Sequence, residues 1–178
     1  MNAGGDLGGA DGCLRDVLRG SEIFRGLAPE AVDRFARIAR RESLPAGERP
    51  FALGEEARNV YVVLEGTVDV CLPISVHGVL TEVTIERQGT GSAIGWSAFV
   101  RPHRFRLSAR VSEDCVLAAF PRADLSRLFE EDPRSGCVVM TRVAELVGRR
   151  LLTMQALWAR ELQRAVAAGL PTEPEPAQ

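Results

Sequence analysis

The sequence predicts a mainly β domain with flanking helices: a compact all-β segment of antiparallel neighbours, with two helices before it and one long helix after it. Three observations carry this. Between Arg41 and Phe120 the chain runs in short Val-, Ile- and Thr-rich stretches punctuated by Gly47, Gly54, Gly66, Gly78, Gly89, Gly91 and Gly95, the pattern of strands joined by tight turns. Ahead of that segment, and again after Pro121, apolar residues recur at helical spacing. From about Ser135 to Ala168 the helical pattern continues without a proline.

The first ten residues, with Gly4, Gly5, Gly8 and Gly9, read as a flexible N-terminus (1–10), so the folded part is expected from Asp11. Leu14, Val17 and Leu18 fall on one helical face. In APEAVDRFARIAR, Val32, Phe35, Ala36 and Ala39 form the next face behind Pro29, which suits a first helical turn. Region 11–134 is therefore read as two helices and the all-β segment.

Five strands are predicted within the β segment: Val60 to Leu64, Thr67 to Leu72, Leu80 to Ile85, Arg106 to Ser112 and Cys115 to Phe120. The connections are short enough for antiparallel neighbours. Val76, His77 and Gly78 read as a hairpin loop.

ADLSRLFEED gives one short helix, and 135–168 gives the long one. At about 1.5 Å per residue it spans about 50 Å, more than the roughly 40 Å diameter of a compact domain of this size, so part of it projects. Val143, Val147, Leu151, Met154, Trp158 and Leu162 form a stripe, and Leu146, Leu152, Leu157 and Val166 widen it. That is more apolar surface than one packing face needs, and it predicts a partner helix in a homodimer. Gly148, Arg149 and Arg150 interrupt the seam. Residues 169–178, ending PTEPEPAQ, read as a disordered tail.

Composition narrows the function classes. At 178 residues, with 46% hydrophobic and 26% charged residues, the chain accommodates one folded domain. No apolar run reaches the about 18 residues of a membrane span and the start lacks a signal-peptide pattern, so a cytoplasmic protein is expected. All 22 basic residues are arginine, set against 24 acidic ones for a net charge of −2, which argues against a general nucleic-acid binder. Arg101, Arg104, Arg106 and Arg110 nevertheless crowd into one short segment as a candidate basic patch. Cys13, Cys71, Cys115 and Cys137 lie far apart, and the only histidines are His77 and His103. Neither set has metal-ligand spacing, and no Ser-His or His-carboxylate arrangement supports an enzyme, so no catalytic residue, metal or certain cofactor is assigned.

SEIFRGLAPEAVDRFARIAR and PAGERPFALGEEARNVYVVLEGTVDV, with Gly54, Tyr61 and Gly66 in place, resemble the opening helices and first strand pairs of the cyclic-nucleotide-binding domain family. The similarity is to the sensor domain of catabolite-activator-type (Crp/Fnr) transcription regulators and covers about Leu14 to Leu162. It implies a cyclic-nucleotide-binding-type antiparallel, jelly-roll-like β-roll, the sensor domain of region 11–134, with a phosphate-binding cassette in the segment Gly95 to Val111. In that family a Glu follows the opening glycine and accepts from a ribose hydroxyl, while an Arg about ten residues on pairs with the cyclic phosphate. Here Trp96 follows Gly95, and the arginine place falls on Phe105, or on Arg104 if the Arg101-Pro102-His103 loop shifts the register by one. Arg106 and Ser108 stand where the family has hydroxyls. The candidate ligand-binding residues are thus Gly95, Trp96, Ser97, Ala98, Arg104, Phe105, Arg106 and Ser108, with a cyclic nucleotide or another small anion as the ligand class.

In the transcription regulators a winged helix-turn-helix follows the long helix, but only ten residues follow Ala168, so direct DNA binding is not expected. The sequence reading is a stand-alone, dimeric regulatory or sensor module whose departed cassette disfavours ordinary cAMP or cGMP binding. Two alternatives stay open: a protein-docking module with a filled pocket, and a cAMP- or cGMP-binding regulator using Arg104 or Arg106.

Overall fold

A computed structural model describes residues 7–169. Helix α1 (Leu7–Gly20) starts four residues before the expected boundary at Asp11, because a helix anchored at Leu14, Val17 and Leu18 extends outward at one hydrogen bond per residue. The rest of the expected flexible start, 1–6, and all of the expected tail except Gly169 lie outside the described residues. Helix α2 (Pro29–Ile38) begins with proline in its first turn and buries Ala31, Val32 and Phe35, with Ala36 partly buried, while Ala39 is already extended. Phe24, in the turn between the two helices, packs on Phe35 and Phe120, each 4.9 Å away between centroids, and so joins the helical layer to the sheet.

The sheet is antiparallel throughout. Strands β1 (Arg40–Leu44), β5 (Ser108–Pro121), β2 (Asn59–Val76) and β3 (Val79–Gln88) lie in that order, and the short β4 (Ala93–Ile94) also pairs with β2. β2 and β3 join through His77 and Gly78, both at positive φ (51° and 80°), as a two-residue type I′ turn requires.

Two strand divisions differ from the sequence reading. Val60 to Leu64 and Thr67 to Leu72 belong to the single strand β2, and Cys115 to Phe120 continues from Ser108 within β5. Arg106 stands outside that strand. Glu65-Gly66 and Glu113-Asp114 look like turns in sequence, yet the β2–β5 pairing carries register shifts there instead. Such bulges let a long strand bend without ending. Gly66 (φ 80°) permits it: a Cβ would run into the Asp114 carbonyl and lie 2.8 Å from Cys115 Cα.

Helices α3 (Arg122–Glu131) and α4 (Pro133–Ala167) close the domain. Asp132 caps α4, accepting from the Ser135 amide at 3.1 Å and the Ser135 hydroxyl at 2.6 Å, and it also takes an ion pair from Arg34 of α2. Val139, Val143 and Leu146 of α4 sit in the core beside Leu125, Phe35 and Phe120. From Leu151 through Arg164 every side chain of α4 is exposed.

Candidate functional site

The candidate cassette begins where β4 ends. Gly95 adopts a left-handed backbone (φ 77°) that starts a single 3₁₀ turn, Trp96–Phe99. A Cβ here would stand 3.1 Å from the Asn59 carbonyl and 3.3 Å from the Tyr61 and Phe105 rings, so the position favours glycine for both conformation and space. Ser97 and Ala98 are buried, whereas Trp96 is half-buried.

The return path to β5 fixes which side chain points inward. The Ala57 amide donates to the His103 carbonyl at 2.8 Å, the Phe105 amide donates to the Glu55 carbonyl at 2.9 Å, and the Gly54 amide donates to the Phe105 carbonyl at 2.9 Å. This register turns Phe105 inward, 4% exposed, and leaves Arg104 and Arg106 exposed on either side. Arg104 therefore does not occupy the inward place that the shifted register offered it, and its guanidinium donates to the Gly54 carbonyl at 2.8 Å. Ser108 is buried, its hydroxyl accepting from the Leu53 amide at 3.1 Å.

Phe105 stacks on Phe51 with centroids 3.9 Å apart, and Phe51 lies 5.9 Å from Tyr61. Burial raises the Tyr61 hydroxyl above its ordinary pKa, keeping this aromatic wall uncharged. The space left beside the stack is about 30 Å³, bounded by Val70, Ile94, Trp96, Arg106 and Arg150 among others. That is room for about two water molecules.

Sequence reasoning missed Arg150, which it treated as a break in a helical seam. Its side chain is 16% exposed, pairs with Glu86 at 2.9 Å, donates to the Ala93 carbonyl at 3.1 Å and borders the same small cavity as Gly95 and Trp96, so α4 comes up against the cassette. Phe51 was missed too. Its only sequence signal is an aromatic close behind Pro45 and Gly47 in the first strand pairs.

The candidate interface stripe divides in two. Val143, expected at the interface, is 3% exposed within the core and presents nothing to a partner, and Val147 is packed partly against it, because the first turns of α4 cover their own domain. Leu151, Met154, Trp158 and Leu162 are exposed, Trp158 at 72%. Among the described residues no helix is long and apolar enough to cross a membrane, and no three His, Cys, Asp or Glu side chains group as a metal site.

An antiparallel β-roll, a glycine-opened turn between β4 and β5, and a long helix that borders this turn define a regulatory-domain type of fold. Residues 41–132 match the family model of the cyclic nucleotide-binding domain, and the chain belongs to that family. It is 30% identical over 157 residues to the cyclic AMP receptor protein of Thermus thermophilus, an alignment covering 86% of this chain and 69% of that protein. The solved catabolite activator protein of Thermus thermophilus is similar at TM-score 0.66 and 26% identity, over 84% of this chain and 73% of that one. A cyclic nucleotide-binding domain from Methylobacillus flagellatus shares the fold at TM-score 0.68 and 21% identity, over 96% and 90% of the two chains.

Proposed function

We propose that this chain is a cyclic-nucleotide-binding-domain regulatory module whose cassette has lost the means to hold an ordinary cyclic nucleotide, and which passes its signal through α4 in a homodimer. The observation that carries the first part is the Phe105–Phe51 stack standing where the family's phosphate-binding arginine is expected. A cyclic phosphate placed there loses water and gains no cation, a penalty of several kcal/mol that removes most of the affinity. Trp96 likewise offers no acceptor to a ribose hydroxyl. The exposed apolar residues Leu151, Met154, Trp158 and Leu162 support the second part, since a parallel pairing of two α4 helices covers them.

One observation favours a second reading, an anion-binding regulator using Arg106: that side chain bounds the residual cavity and has no ion pair among the described residues. Calorimetric titration with cAMP and cGMP decides between the two. The first reading expects no saturable heat at millimolar nucleotide. Saturable micromolar binding that Arg106→Ala abolishes establishes the second instead.

A further inference from the structure

We propose that Arg149 and Arg150 are positioning residues that clamp the free edge of β4 and thereby couple the cassette to the long helix. This rests on the reading above that α4 is the output element.

Ala93 lies two residues before Gly95 and is 1% exposed. β4 pairs with β2 on one side only, and on its other side no strand satisfies the Ala93 peptide groups. Side chains do so. The Ala93 amide donates to Glu22 Oε2 at 2.9 Å, and the Ala93 carbonyl accepts from Arg150 Nη2 at 3.1 Å. Both partners are held in turn: Glu22 Oε1 accepts from Arg149 Nη2 at 3.2 Å, and Arg150 Nε pairs with Glu86 Oε2 at 2.9 Å. The Glu22 amide also donates to the Gly91 carbonyl at 2.9 Å, and Gln88 donates to Glu86 at 2.9 Å. Two adjacent arginines of one helix thus hold both polar groups of Ala93: Arg150 grips the carbonyl directly and is anchored by Glu86 of β3, while Arg149 reaches the amide through Glu22 of the α1–α2 turn.

The clamp sits at a particular place along α4. Before it, Val143 and Leu146 are in the core; after it, side chains are exposed from Leu151 through Arg164. Arg150 is therefore the last attachment before the projecting half of the helix. A buried amide and carbonyl that lose their partners are strongly disfavoured, so a movement of α4 at this point drags on β4 and on the Gly95 turn behind it. Linkage makes the effect reciprocal: a change in the cassette must bias the helix by the same amount.

Hydrogen exchange of the ligand-free full chain tests this. In Arg150→Ala the amides of Ile94 to Ala98 are expected to exchange about tenfold faster, the loss of about one hydrogen bond's worth of protection, together with those of Leu146 to Leu152. Arg150→Lys and Glu86→Gln, milder changes to the same pair, should act in the same direction and keep the test available if the alanine variant does not fold. A Phe105→Leu change made in both backgrounds supplies the cycle: it should speed exchange at Leu146 to Leu152 in the wild type and leave those amides unaltered in Arg150→Ala. Faster exchange confined to α4, with the cassette at wild-type rates, or additive effects in the cycle, overturns the coupling. Since no ligand enters the measurement, tight cAMP binding by the wild type would sink the functional reading above and leave this result standing.

Discussion

The Phe105 ring lies over the Phe51 ring at 3.9 Å between centroids and 14° between planes, deep against the wall that Gly95 leaves open. Phe105→Ala removes that ring from a closely packed site and is expected to cost about 3–5 kcal/mol, whereas Phe105→Leu refills most of the space and should cost less. Urea unfolding measures both. Equal, small losses of under about 1 kcal/mol would mean that the stack is not part of the core.

The bend in β2 predicts a contrast between two glycines with the same backbone sign. Gly66 and Gly78 both have φ near 80°, but a Cβ at Gly78 meets nothing within 4 Å while at Gly66 it meets the backbone of Asp114 and Cys115. Gly78→Ala should therefore cost only the left-handed penalty of about 1–2 kcal/mol. Gly66→Ala should cost distinctly more. Identical denaturation midpoints for the two variants would show that β5 moves aside freely.

What was legible in the sequence followed the range of the signal. The helices were readable because Pro29, Phe35 and the 143–162 stripe express a local period, and the His77-Gly78 hairpin because its two residues favour left-handed backbone. The continuity of β2 and β5 was not, since Glu65-Gly66 and Glu113-Asp114 have the composition of turns and become bulges only where Glu65 pairs with Val116 and Thr67 with Glu113. Helical periodicity grouped Val143 with Trp158 but could not say which turns of α4 lie over their own domain. Arg150 was illegible for a related reason: Ala93, its partner in β4, is 57 residues away. The identity of the inward residue, Phe105 rather than Arg104, was decided by backbone hydrogen bonds to Gly54 and Glu55 that no local pattern encodes.

Asp132 predicts an acid-side dependence of stability. Hydrogen bonds from the Ser135 hydroxyl and amide, with the Arg34 charge adding to them, hold its carboxyl below the ordinary value of 3.8. A folded-state pKa below the unfolded one gives stability that is present above about pH 4 and is lost as pH falls through the folded value. Asp132→Asn keeps an N-cap acceptor but removes the titration, so its stability should fall less steeply below pH 4. Urea midpoints at pH 7, 4 and 3 compare the two; parallel curves would remove Asp132 from this role.

The projecting half of α4 predicts self-association. Replacing Leu151 and Met154 together by Glu places like charges across a paired seam and should release folded monomers, because the β-roll keeps its own core. Sedimentation equilibrium at micromolar concentration reads this directly. A monomeric wild type, or a mutant that stays dimeric, takes the helix out of the interface.

The claim that the aromatic pair has displaced the nucleotide's polar anchors is tested most directly by titrating cAMP into the wild type and into the Trp96→Glu, Phe105→Arg double variant, side by side, while following the amide resonances of Gly95 to Ala98 by NMR. No saturable shift is expected in the wild type and a saturable one in the double variant, which regains an acceptor for the ribose and a cation for the phosphate. Saturable shifts in the wild type that the exchange weakens would contradict it.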